Sequence, residues 1–382
     1  MIPSRAGLVV AILVAAAPPP LALAQVAATT DSVSPIKPPR TPLPSESATA
    51  RITKFSFISY GDTRGRHDGT AIQAEHAMVI ESMLSTIRRV AGTPDAIRFV
   101  LQSGDAVVNG SVPSQLTVSY LPLINRLTQE GGVPYFLAVG NHDVGNSIDL
   151  ADPRRVSGLR NYFAANAKLI PAEGSPRRLS GYPTFAFGYG NTLFIALDSN
   201  IPDDDTQFTW VRSRLQKLDR RRYKNIVVFF HHPPFSSGPH GGATLERQAA
   251  SIRLTWMPLF RLYHVKLLLT GHEHFYEHWV ERWVDASGPH RMDEIITAGG
   301  GAPLYKYTGE PDLTDYLASG SANTVALEHL VRPSPDSAGN PYHYVVVHVD
   351  GEKISLDVVG VDWGTGFKPY GKSSVTLVDP KR

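Results

Sequence analysis

The chain has 382 residues, 42% of them hydrophobic and 19% charged, with a formal net charge of +2 and no cysteine. That balance is globular rather than disordered, and the near-neutral charge, with no basic stripe, argues against a nucleic-acid-binding surface. The lack of cysteine excludes a disulfide scaffold, a cysteine nucleophile, a lipidated cysteine and a thiolate metal site.

The N-terminus, "MIPSRAGLVVAILVAAAPPPLALAQ", has Arg5 ahead of an apolar stretch, Ala6–Ala17, that is too short to cross a bilayer. Ala22-Leu23-Ala24 supplies an A-x-A cleavage site. Residues 1–24 are therefore expected to be a signal peptide. The mature chain would be periplasmic or secreted, with no transmembrane segment after cleavage. Residues 25–50, rich in Ala, Thr, Ser and Pro and without aromatics, read as a flexible linker with polyproline character. A single domain is expected over 51–382. Apolar, β-branched or aromatic runs predict strands at Phe55–Tyr60, Ile97–Leu101, Tyr135–Val139, Thr192–Leu197, Ile226–Phe230, Val265–Leu269 and Glu294–Thr297. Helical spacing is found over Gln73–Val90, Leu121–Thr128, Gln207–Leu218 and Arg253–Tyr263. The alternation predicts an α/β domain. The acidic triplet at 203–205 reads as a helix start, and "DRRRYK" at 219–224 as a helix end and turn. Near the C-terminus, "YHYVVVHVDGEKISLDVVGVD" predicts a β-hairpin turning at Asp350-Gly351. The segment 306–341 is irregular and reads as a lid or a partner surface.

Five of the predicted strands end in polar residues. Phe55–Tyr60 leads into Gly61-Asp62 and Ile97–Leu101 into Gly104-Asp105. Tyr135–Val139 leads into Gly140-Asn141-His142-Asp143, Ile226–Phe230 into His231-His232, and Val265–Leu269 into Gly271-His272-Glu273-His274. Open α/β sheets bind ligands beyond the carboxyl ends of their strands, so these residues could converge. Carboxylate, amide oxygen and imidazole are ligands of zinc, iron or manganese. A mixed set with one bridging carboxylate suits two ions roughly 3.5–4 Å apart.

The ordered series Gly61-Asp62, Gly104-Asp105, Gly140-Asn141-His142-Asp143, His231 and Gly271-His272-Glu273-His274 resembles the calcineurin-like metallophosphoesterase superfamily. "HHPPFSSGPHG" (231–241) is similar to the loop of its purple acid phosphatase-like branch. The resemblance spans residues 61–274 and extends to "TAGGGAPLY" (297–305). It implies a four-layer α/β/β/α sandwich with two divalent or trivalent ions, manganese, zinc or iron, at the strand ends. It further implies that Asp105 bridges both ions, that Asp62 and His274 hold the first, and that Asn141, His231 and His272 hold the second. By the same resemblance, His142 contacts the substrate phosphate and assists the leaving group, Asp143 orients His142, and His240 binds phosphate or acts as an acid. His232 follows a ligand in an extended segment and is expected to face the other way.

The pattern departs at two positions. Arg64 stands where the superfamily has a histidine ligand, and Val108 where the purple branch has a tyrosine. Neither binds a metal, so the charge-transfer colour of that branch is not expected. His67 and Asp68 are further candidates for the first ion. Arg64 either aims its planar fork at a substrate phosphate or pairs with Asp68 or another acid. The expected function is a secreted phosphoesterase for phosphate mono- or diesters of a phosphorylated small molecule or lipid, through attack of a metal-bound hydroxide. The alternative is a cell-envelope binding protein on the same fold with an incomplete first metal site. His76, His264, His278, His290, His343 and His348 have no motif context.

Overall fold

The computed structural model describes residues 32–65, 72–145, 147–319, 325–361 and 368–378. The signal-peptide segment and the candidates His67 and Asp68 lie outside the described residues. The described part belongs to one compact unit beginning at Ser32. In chain order its first elements are β1 (Lys54–Tyr60), α1 (Ala74–Val90), β2 (Ile97–Gln102), α2 (Leu121–Arg126), β3 (Tyr135–Leu137) and α3 (Pro153–Asn166). Next come β4 (Phe185–Tyr189), β5 (Thr192–Ala196), α4 (Asp205–Gln216), β6 (Asn225–Phe229), α5 (Arg247–Leu262), β7 (Leu267–Thr270), β8 (Tyr276–Asp285) and β9 (Gly288–Thr297). The last are α6 (Thr314–Ser319), β10 (Ala326–Val331), β11 (Tyr342–Asp350), β12 (Lys353–Val361) and β13 (Lys368–Val378).

Two sheets form. One has the order β13-β12-β11-β1-β2-β3, the other β10-β8-β9-β7-β6-β5-β4. Strands β1, β2 and β3 are parallel, as are β5, β6, β7 and β9. Alternation along β5 shows why the sheets stack. Phe194 and Ala196 join the core between the sheets, whereas Leu193, Ile195 and Leu197 join Val211, Leu215, Ile252 and Trp256 of α4 and α5. Aromatic rings fill the inter-sheet layer: Phe57 meets Phe194 edge-on at 5.2 Å, and Phe136 stacks on Phe187 at 4.1 Å. Helix α1 buries Val79, Ile80, Met83 and Leu84 in the same core. The result is the α/β/β/α sandwich.

Several local expectations change. From Ser32 onward the expected linker is an ordered strap. Val33 and Ile36 are buried, and the Ile36 amide donates to the Ala165 carbonyl at 2.8 Å. The Glu46 carboxylate accepts from the Gly188 amide at 3.0 Å and the Tyr223 hydroxyl at 2.6 Å. Proline holds such a segment extended, but two buried apolar side chains and a satisfied carboxylate fix it in place. The C-terminal hairpin turns at Gly351-Glu352, one residue later than expected, because Gly351 supplies the positive φ of 63°. The irregular segment 306–341 contributes α6 and adds β10 to the edge of the second sheet. The Thr308 amide and hydroxyl both donate to the Ser237 carbonyl, so this segment braces the loop after β6. Asp204 caps α4 through the Gln207 amide at 2.7 Å, as expected of the acidic triplet.

Ile36→Ala should destabilise the chain by about 2–4 kcal/mol in equilibrium urea unfolding, the usual cost of truncating a buried isoleucine. A change near zero would mean that the strap carries no stability.

Candidate metal centre

The carboxyl ends of β1, β2 and β3 in one sheet, and of β6 and β7 in the other, deliver the motif residues to one place. Four non-glycine residues among those described have positive φ, and three of them are Asp62 (59°), Asp105 (53°) and His272 (71°). The left-handed region is costly for residues with a Cβ, and such outliers persist where the surroundings over-determine them. Here backbone amides do so. The His272 amide donates to both Asp62 oxygens at 3.1 and 3.0 Å, and the His142 amide to Asp105 Oδ1 at 3.0 Å. Gly104 and Gly140 let two of these loops touch: a Cβ at Gly104 would lie 2.7 Å from the Gly140 nitrogen, and one at Gly140 would collide with the Asp105 carboxylate.

All six expected ligand side chains meet. Asp62, Asp105 and His274 offer donor atoms within 4.8 Å of one another, and all three residues are buried. His274 keeps Nδ1 2.7 Å from the Pro303 carbonyl and turns Nε2 toward Asp62, 3.5 Å from Oδ1. The second group surrounds His231 Nε2. Asn141 Oδ1 lies 2.8 Å from it, His272 Nδ1 3.1 Å and Asp105 Oδ1 3.3 Å. The other nitrogen of His231, Nδ1, faces the Ser103 carbonyl at 3.1 Å. Asp105 therefore borders both groups.

Charge balance supports a cationic occupant. Burial alone would raise the Asp105 pKa, yet His231, His142 and Arg64 hold it well below the usual carboxylate range. Burial alone would depress His231, yet the Asp105 carboxylate reverses that and pushes it up to about 9. The pocket thus draws positive charge onto the His231 imidazole, which burial alone would keep neutral. Buried oxygen and nitrogen donors of this kind fit borderline or hard cations. Asp62, Asp105 and His274 would hold one, and Asp105, Asn141, His231 and His272 the other.

The residues around the ligands correct part of the sequence reading. Asp143 does not orient His142. Its carboxylate accepts the Ala106 amide at 2.9 Å and the Gly140 amide at 2.8 Å, pinning the β2 and β3 loops together. Burial and the nearby Asp105 charge raise its pKa to about 7. His142 is oriented instead by the Val108 carbonyl, 2.8 Å from Nδ1, and its Nε2 lies 4.0 Å from Asp105 Oδ2. Val108, unsuited to bind metal through its side chain, contributes through its backbone. His232 does not turn away. The chain has left β6 by then, and its ring sits 4.6 Å from that of His272 with Nδ1 2.9 Å from the Ser199 hydroxyl. His240 lies 4.4 Å ring-to-ring from His272, and its amide donates to Glu273 at 2.8 Å.

Two residues at the site were given no role in the sequence reading, although Tyr305 closes the "TAGGGAPLY" stretch. Glu246, at the N-cap of α5, places Oε2 3.0 Å from His272 Nε2. It thereby fixes which nitrogen of His272 faces the ligand group, the work a carboxylate does behind a metal-bound histidine. Tyr305 stacks on His274 at 4.0 Å, and Arg64 Nη2 donates to its hydroxyl at 3.4 Å. Arg64 Nε lies 3.7 Å from Asp105 Oδ2 and makes no hydrogen bond among the described residues. Arg64, His142, His240, Glu246 and Tyr305 line a cleft of about 420 Å³ open above the ligands.

The chain belongs to the calcineurin-like phosphoesterase family, which it matches over residues 79–276, just over half its length. An uncharacterised protein of Mycobacterium tuberculosis is 29% identical over 161 residues, 38% of this chain and 27% of its own length. The Fe(3+)-Zn(2+) purple acid phosphatase 12 of Arabidopsis thaliana is 22% identical over 148 residues, 38% of this chain and 29% of its own. The chain thus aligns with less than a third of either relative. Among solved structures, a purple acid phosphatase from yellow lupin (Lupinus luteus) seeds superposes with a TM-score of 0.57 at 15% identity, covering 86% of this chain and 54% of the lupin chain.

Glu246→Gln should weaken binding of the second ion about 10–100-fold, the usual cost of losing a carboxylate behind a ligating histidine. Equilibrium dialysis against zinc or manganese measures it, and unchanged affinity would separate Glu246 from the centre.

Proposed function

We propose that the protein is a metal-dependent phosphoesterase that hydrolyses phosphate mono- or diesters of a small molecule or lipid. The observation that carries this reading is Asp105, a buried carboxylate bordered at once by both ligand groups, His142 and Arg64. Two ions, manganese, zinc or iron, would supply Lewis acidity, lowering the pKa of a water and neutralising phosphoryl oxygens. The chain's own side chains do the rest. Arg64 offers a permanent planar cation to phosphoryl oxygens from the floor of the cleft. His142 donates its Nδ1 proton to the Val108 carbonyl, which leaves Nε2 facing the cleft to hold or release a proton at the leaving oxygen. His240 stands beside Glu246 and His272 in the lining of the same cleft. Export to the periplasm or beyond the cell rests on the character of residues 1–24 alone. The second reading, a binding protein of the same fold, is favoured by one observation: Arg64 places a fixed cation 3.7 Å from Asp105, beside the first ligand group.

Full-length protein supplied with manganese or zinc should hydrolyse an aryl phosphate mono- or diester while retaining two ions by metal analysis. Asp105→Asn and His272→Ala should abolish turnover, and His142→Ala should lower kcat by about 10²–10⁴, the range for a lost proton-transfer group. One bound ion or none, without turnover on either ester, would leave the binding-protein reading standing.

A further inference from the structure

The fourth positive-φ residue, His264 (53°), lies outside the cleft. It follows the last turn of α5 and packs against the tip of the β8–β9 hairpin. Strand β8 leads away from His274 for ten residues, so this tip is about 30 Å from the first ligand group at the usual rise per residue.

Three donors converge there. His264 Nε2 lies 2.8 Å from Asp285 Oδ2, and His290 Nε2 2.8 Å from Asp285 Oδ1. The two imidazoles stack at 4.0 Å and 15°, and the Trp283 ring lies 5.3 Å from His290. The Ser287 hydroxyl donates to Asp285 Oδ1 at 2.7 Å and lies 3.0 Å from His290 Nε2. Side-chain exposures of 34%, 37% and 18% for His264, Asp285 and His290 leave the group reachable from solvent.

We propose that His264, Asp285 and His290 form a peripheral site for one zinc-like divalent cation, separate from the catalytic centre. The three donor atoms lie within 4.8 Å of one another. The two 2.8 Å contacts run to different oxygens of Asp285, Oδ2 for His264 and Oδ1 for His290, so a cation drawn in among the three donors would replace both hydrogen bonds with bonds of about 2.0–2.2 Å to nitrogen and oxygen. Both ring nitrogens already aim at the same carboxylate; because the rings stack nearly parallel, at least one turns to bring its in-plane lone pair onto an ion between them. Each imidazole then carries its proton on Nδ1, and solvent completes the coordination. His264 is the left-handed residue that ends α5, its amide donating to the Arg261 carbonyl at 3.0 Å and the Val265 amide to the Phe260 carbonyl at 3.0 Å. The ion would fasten the end of α5 to the hairpin tip in a chain that has no disulfide to do so.

The test uses full-length protein stripped with chelator and titrated with Zn²⁺, then with Co²⁺ for its visible spectrum. Wild type should bind one more equivalent than His264→Ala/His290→Ala. An Asp62→Asn/His272→Ala variant, crippled at the catalytic centre, should keep the peripheral Co²⁺ spectrum and a zinc-dependent rise in Tm. Equal stoichiometry and affinities in wild type and the His264→Ala/His290→Ala variant would overturn the proposal. Should that variant fold poorly, His264→Gln keeps a hydrogen-bonding side chain. It should still lose at least tenfold in zinc affinity at this site, and no loss would equally overturn the proposal.

Discussion

Two carboxylates removed from water, Asp62 and Asp105, set the terms for the whole molecule. Burying an ionised carboxylate is costly unless hydrogen bonds and opposite charge compensate. One sheet supplies the carboxylates, and much of the compensation comes from the other: His231 follows β6, and His272 and His274 follow β7. The phenylalanine layer between the sheets is therefore more than filler. It holds the two sets of strand ends in register, and any slip between the sheets would leave two buried charges unpaired.

That dependence explains what could be read in the sequence and what could not. Strand ends that deliver Gly-Asp, Gly-Asn-His-Asp and Gly-His-x-His are local features, and local features survive in a linear text. They carried the family resemblance that implied the four-layer order and named the six side chains that meet at the site. The role that the resemblance implied for Asp143 is not the one it has here, because its carboxylate faces the amides of Ala106 and Gly140. Glu246 was invisible because its partner is 26 residues away and joined to it only by the packing of α5. The strap over 32–50 looked like linker because composition speaks of the average residue, while Val33, Ile36 and Glu46 act individually. The helix α3 and the edge strand β10 have too weak a periodicity to be found without their tertiary neighbours.

Arg64 gains its meaning from this setting. It stands where related chains place a ligand, yet its guanidinium points into the same corner, toward the Asp105 carboxylate and the Tyr305 hydroxyl. The corner therefore carries a positive charge that no change of pH or metal supply removes. A tyrosine also returns to it from the segment after β9, rather than from the loop after β2. Among the described residues the first ligand group holds Asp62, Asp105 and His274 and is not short of positive charge.

The contact between Gly104 and Gly140 has a consequence of its own. Because the backbones bearing Asp105 and Asn141 press directly on one another, the shared carboxylate and the amide ligand form one stiff frame. A side chain at either glycine would push the Asp105 and Asn141 backbones apart together, so the spacing between the shared carboxylate and the amide oxygen is set at two residues that have no side chain.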